Sequence, residues 1–120
     1  MKVLLDECVD GYLARELTGH EATTVGRLGW SGTKNGRLLR RAIDAGFDAF
    51  VTTDRSVPFQ NNIAALALTI IVLDAKSNNW NDLKALLPQL LWSLDHPFAR
   101  DSHRHPDGIG SVKIDDVLAL

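Results

Sequence analysis

Lys2-Val3-Leu4-Leu5-Asp6-Glu7 is the stretch whose reading decides the fold. A short apolar run that stops abruptly at two carboxylates suits a buried parallel strand whose carboxyl end reaches the edge of a sheet. The same pattern returns downstream. Asp48-Ala49-Phe50-Val51-Thr52-Thr53 reads as a strand that ends at Asp54 and Arg55. Thr69-Ile70-Ile71-Val72-Leu73 reads as a strand ending at Asp74, before a polar Ala75-Lys76-Ser77-Asn78 turn. Glu21 to Val25, rich in β-branched residues, adds another strand.

Helical signals fill the gaps. From Asp10, a good N-cap, Tyr12, Leu13 and Leu17 recur at helical spacing, and Gly19 closes the segment. Gly26, Gly29, Ser31 and Gly32 mark a long loop holding Trp30. Asn35 is placed to cap a second helix running to about Ala45, with Leu38, Leu39, Ala42 and Ile43 on one face and Arg37, Arg40 and Arg41 on the other, before Gly46 ends it. Residues Pro58 to Leu66 suggest a short helix, and a last helix is expected from Asp82 to about Leu94, capped by Asn79 or Asn81, with a kink or local break at Pro88. Alternating strands and helices predict an α/β fold, a three-layer α/β/α domain over residues 1–94 with a mostly parallel four- or five-stranded sheet. Residues 95–120 lose all periodicity around Pro97, Pro106 and Gly108 and read as a C-terminal appendage, irregular apart from a short edge strand at Ser111–Asp115.

Bulk properties agree with a single core. The 120 residues suffice for one domain, and 45% hydrophobic with 23% charged residues is ordinary for a globular chain. A net charge of −2 means that any contact with nucleic acid must come from a local basic patch. The lone Cys8 and the absence of a charged-then-apolar leader point to a reducing cytoplasm, and the longest apolar stretch is too short to span a bilayer.

Ligand sites in such sheets lie outside the carboxyl ends of the strands. Asp6, Glu7, Asp54 and Asp74 all fall there. Converging carboxylates repel, and a hard divalent cation such as Mg²⁺ or Mn²⁺ relieves them. Such a cation polarises a phosphodiester and activates water, so phosphoryl hydrolysis is the natural reaction class. The plainer alternative is that acids after strands only cap helices or face solvent. Arg55 and Lys76 follow strand ends and would hold a scissile phosphate or simply neutralise Asp54 and Asp74; Lys34, Arg37, Arg40 and Arg41 would grip a phosphate backbone or form a solvated helix face. Trp30, Trp80 and Trp92 read as packing or interface residues, and Cys8 as a small buried filler. His96, His103, His105 and Asp107 lack the second fixed pair of a transition-metal site, which leaves the tail as a flexible or an interaction segment.

Taken in order, Lys2 to Glu7, Gly19-His20-Glu21 before Thr23-Thr24-Val25, Leu28-Gly29-Trp30-Ser31-Gly32, Thr52-Thr53-Asp54-Arg55 and Ala75-Lys76-Ser77-Asn78 resemble the DUF5615 PIN-like family over about residues 1–94. The resemblance implies a small PIN-like fold and a Mg²⁺-dependent ribonuclease, commonly the toxin of a bacterial toxin–antitoxin pair, with RNA as substrate and a small antitoxin as partner. Asp6 and Asp54 match the family's strand-end acids and Glu7 its adjacent acid. Asn35 stands where many members carry an acid; it can offer a metal a neutral oxygen but adds no charge. A catalytically degenerate module that binds RNA or a partner protein is therefore the alternative, and a homodimer could form through the tail or the Trp residues. A phospho-accepting receiver domain fits Asp6-Glu7, Asp54 and Lys76 superficially, but needs one more strand than the interval from Asp54 to Lys76 can hold.

Overall fold

A computed structural model describes residues 1–54, 68–75, 77, 79–95, 102–104 and 110–116, the last two segments through their backbone pairing. In chain order these are β1 (Lys2–Leu5), α1 (Tyr12–Glu16), β2 (Glu21–Thr24), α2 (Asn35–Asp44), β3 (Ala49–Thr52), β4 (Thr69–Ala75), α3 (Trp80–Lys84), α4 (Leu87–Asp95), β5 (Ser102–Arg104) and β6 (Gly110–Asp116). The helix expected over Pro58 to Leu66 lies outside the described residues.

Four consecutive strands of the sheet, β2-β1-β3-β4, are parallel, and β6 and β5 continue it antiparallel to give the order β2-β1-β3-β4-β6-β5. β1, β3 and β4 are apolar on both faces because helices cover both, whereas the edge strand β2 is only partly buried. Val3, Leu5, Ala49, Val51, Ile71 and Leu73 point to one side, where they meet Leu13 and Leu17 of the α1 segment and Leu83, Leu86, Leu90 and Leu94 from the α3–α4 region. Leu4, Phe50, Ile70 and Val72 point to the other and pack on Leu38, Leu39 and Ala42 of α2. The fold is thus the expected three-layer α/β/α arrangement.

Local details follow from single residues. α2 starts one residue earlier than a capping Asn35 requires: Lys34 is the extended N-cap and Asn35 the first helical residue. At its other end Gly46 (φ +85°) donates to the Ile43 carbonyl at 3.0 Å and Phe47 to that of Ala42 at 2.9 Å, a Schellman closure that seats the Phe47 ring in the core. The expected last helix is broken into two, and the break falls at Ala85 and Leu86, ahead of Pro88. Pro88 sits in the first turn of α4, where its missing N–H would have no intrahelical acceptor.

Two expectations about the distal sheet change. β4 runs through Asp74 to Ala75, because Asp74 pairs with Ser111 of β6. The strand expected at Ser111–Asp115 forms as Gly110–Asp116, but it is an inner strand: β4 exposed an unpaired row of backbone groups, and β6 satisfies it over seven residues while β5 takes the edge. Residues 102–104 and 110–116 therefore belong to the sheet and not to a separate appendage. No helix among the described residues is long and apolar enough to cross a membrane.

Replacing Gly46 by Ala forces a Cβ into left-handed backbone although the surrounding space is open. The variant should lose about 1–2 kcal/mol, read as a lower urea midpoint at unchanged m-value.

Candidate active site

The chain passes from β1 to β2 on one side and then to β3 on the other, so the strand order reverses between β1 and β3. Helix connections leave the sheet in opposite directions there, and a crevice opens at the carboxyl ends of those two strands. Register decides what faces it. Leu5 pairs with Val51, and the Asp6 N–H donates to the Val51 carbonyl at 2.9 Å, which carries the ladder one residue past β1 and sets Asp6 beside Thr52.

Thr52 is completely buried, and its hydroxyl joins the two strand ends. Oγ1 donates to Asp6 Oδ2 at 2.7 Å and accepts the Asp54 backbone N–H at 3.0 Å. The Cys8 Sγ lies 3.5 Å from both Asp6 Oδ2 and Thr52 Oγ1. Asp6 Oδ1 accepts the Glu7 N–H at 2.8 Å. The half-buried Asp6 carboxylate is thus held from three directions before any ligand arrives. Such support restricts its rotamers and leaves fewer orientations to be lost on binding.

Glu7 has a different task. Its Oε1 accepts the Gly32 N–H at 2.7 Å, which ties the β2–α2 loop to the end of β1. Gly32 has φ +83°, and the loop is further closed by Trp30 N–H on the Val25 carbonyl at 3.0 Å and Thr33 Oγ1 on the Trp30 carbonyl at 2.6 Å. Arg41 lays its guanidinium 4.8 Å from the centre of the Trp30 ring, so it clamps loop to helix.

Asp6 and Glu7 line a cleft of about 260 Å³ with Gly11, Thr24 and Ser31. Next to it a groove of about 760 Å³ is lined by Gly32, Lys34, Gly36, Arg37 and Arg41, and Ser31 belongs to both. The structure therefore brings Asp6, Glu7 and the Asp54 backbone together and sets Lys34 and Arg37 alongside. Asp74 stands apart: β3 separates its strand from β1, two strand spacings or about 10 Å. Asn35 opens α2, and its side chain is outside the described residues, as are Arg55 and Lys76. Among the described residues no three His, Cys, Asp or Glu side chains are grouped to hold a metal.

Nothing in the sequence pattern alone assigns Thr52 or Cys8 to this site. A Thr closing an otherwise apolar Ala49-Phe50-Val51 run is a signal only once the β1–β3 register is known. Cys8, expected as a filler, is half-buried with its thiol at the carboxylate. Compared with family models, curated proteins and solved structures, the chain matches none of them.

Replacing Thr52 by Val keeps the shape but leaves the Asp54 N–H without its hydroxyl acceptor and Asp6 Oδ2 without its donor. Thermal and urea denaturation should show a loss of about 1–3 kcal/mol for Thr52→Val and much less for Thr52→Ser.

Proposed function

We propose that this chain is a Mg²⁺- or Mn²⁺-dependent endoribonuclease of PIN-like type, acting in the cytoplasm as the toxin of a bacterial toxin–antitoxin pair. The observation that carries the reading is the Asp6 carboxylate, held by the Thr52 hydroxyl across the β1–β3 crevice beside the end of β3 that bears Asp54, with a cationic groove adjoining its cleft.

Oxygen donors of this kind suit a hard cation. Asp6, Asp54 and Glu7 offer carboxylate oxygens, and a carboxylate oxygen that accepts one hydrogen bond keeps a lone pair for a metal. A divalent cation there supplies charge neutralisation and Lewis acidity toward a phosphodiester. Asp6 and Asp54 would hold it, Thr52 orients Asp6, and Lys34 and Arg37 draw the RNA backbone to the cleft. The antitoxin would be a small protein that covers the acidic cleft, and co-purification with the product of the adjacent reading frame tests that partner.

A second reading is favoured by Glu7, whose Oε1 is committed to Gly32, and by the neutral Asn35. With Glu7 committed to the loop and no charge at Asn35, the module would bind RNA or a protein without cleaving it. Mn²⁺ titration separates the readings, since a degenerate site binds the ion weakly.

In an assay with a fluorogenic RNA and Mg²⁺, Asp6→Asn and Asp54→Asn should each lower cleavage by about 100-fold or more, and Thr52→Val by about 10–100-fold. Cleavage that is absent from the parent, or unmoved by Asp6→Asn, sinks the nuclease reading.

A further inference from the structure

A second cleft with cationic lining adjoins the acid centre through residues other than those shared with the Lys34–Arg37 groove. It measures about 340 Å³, is lined by Tyr12, Arg15, Thr23 and Arg27, and shares Gly11 and Thr24 with the cleft of Asp6 and Glu7. The acid centre is therefore flanked twice: by Arg15 and Arg27 across Gly11 and Thr24, and by Lys34 and Arg37 across Ser31.

We propose that Arg15 and Arg27 form a second phosphate-binding subsite, so that a single strand of nucleic acid crosses the acid centre from the Lys34–Arg37 groove into the Arg15–Arg27 cleft. The identity of the polymer rests on the nuclease reading; the subsite itself rests on the following geometry.

Both arginines are exposed, and the His20–Asp95 contact at 3.0 Å involves neither of them. Asp10 lines the same cleft, but its Oδ1 accepts the Tyr12 N–H at 2.9 Å and so serves the start of α1. Arg15 is not loose. Its guanidinium lies 5.6 Å from the centre of the Tyr12 ring, and that ring is braced by Trp80 at 6.2 Å, so the fork has less rotamer freedom to lose on gripping a phosphate. Arg27 is placed by its backbone, whose N–H donates to Thr24 Oγ1 at 3.0 Å in the turn leaving β2.

Charge on two sides of one acidic centre selects a polymer over a lone anion. A free nucleotide would occupy one cationic cleft and leave the other unused, whereas a chain of phosphates can reach both and present its middle to Asp6. Clefts recessed between α1 and the β2 turn favour a flexible single strand, since the phosphates of a duplex lie on a rigid convex surface. Tyr12 acts here as a positioning residue for Arg15.

The test uses the Asp6→Asn chain in EDTA, so that binding is read without cleavage, and fluorescein-labelled uridine oligomers of about 4 and about 12 nucleotides, within the usual range of single-strand sites. The longer oligomer should bind more tightly than the shorter. Arg15→Ala/Arg27→Ala should abolish that gain, weaken the longer oligomer by about 10-fold and reduce the salt slope by about 1.4, or about 0.7 for each of two lost phosphate contacts. Tyr12→Ala should give part of this loss, and Tyr12→Phe should restore binding. Circular dichroism should show unchanged folding, as both arginines are exposed. The proposal is overturned if the double variant binds the longer oligomer within about twofold of its parent while Lys34→Ala/Arg37→Ala weakens it by about 10-fold. It is equally overturned if no oligomer binds, or if poly-glutamate competes as well as RNA does, which would identify an acidic peptide as the ligand. Binding through Arg15 and Arg27 with no Mg²⁺-dependent cleavage by the parent chain would retain the subsite and reject the nuclease.

Discussion

The hydrogen bond from Thr52 Oγ1 to Asp6 Oδ2 depends on one constraint, the parallel register that sets Leu5 against Val51. A slip of one residue would turn Leu4 and Phe50 toward the helices that cover Leu5 and Val51, so packing on both faces holds the register firmly. The polar crevice inherits that rigidity. Asp6 and Thr52 meet because the apolar residues before them can pair in only one way, and burial of the Thr52 hydroxyl makes the bond costly to break.

Around this centre the electrostatics are divided by location. A chain of net charge −2 is no general polyanion binder, yet its cations gather along the loops and helices that follow β1 and β2: Arg15, Arg27, Lys34 and Arg37. Glu7 links the two regions, since its bond to Gly32 holds the basic loop against the acidic strand end. The same carboxylate cannot be judged by charge alone, because its position in the fold commits one oxygen to structure.

Much of this was legible beforehand, and the reasons differ by element. β1, β3 and β4 were readable because burial on both faces demands unbroken apolar runs, β2 from its β-branched residues, and α2 because Leu38, Leu39 and Ala42 keep helical spacing while Gly46 can adopt positive φ. Pro88 marks a kink or a local break without saying which, and the helix in fact stops before it, at Ala85 and Leu86. The place of β6 was not legible: alternation in Ser111–Asp115 marks a strand, but only the open side of β4 decides that it becomes an inner one.

By itself the sequence determined the elements, the three-layer arrangement and the presence of acids at strand ends, because those follow from local pattern and from which residues must leave water. Only the tertiary structure decided which acids meet. Asp6 joins Thr52 and the Asp54 backbone, while Asp74 is carried away with β4. Neighbours across a parallel sheet are far apart along the chain, and their register is set by the packing of both faces together.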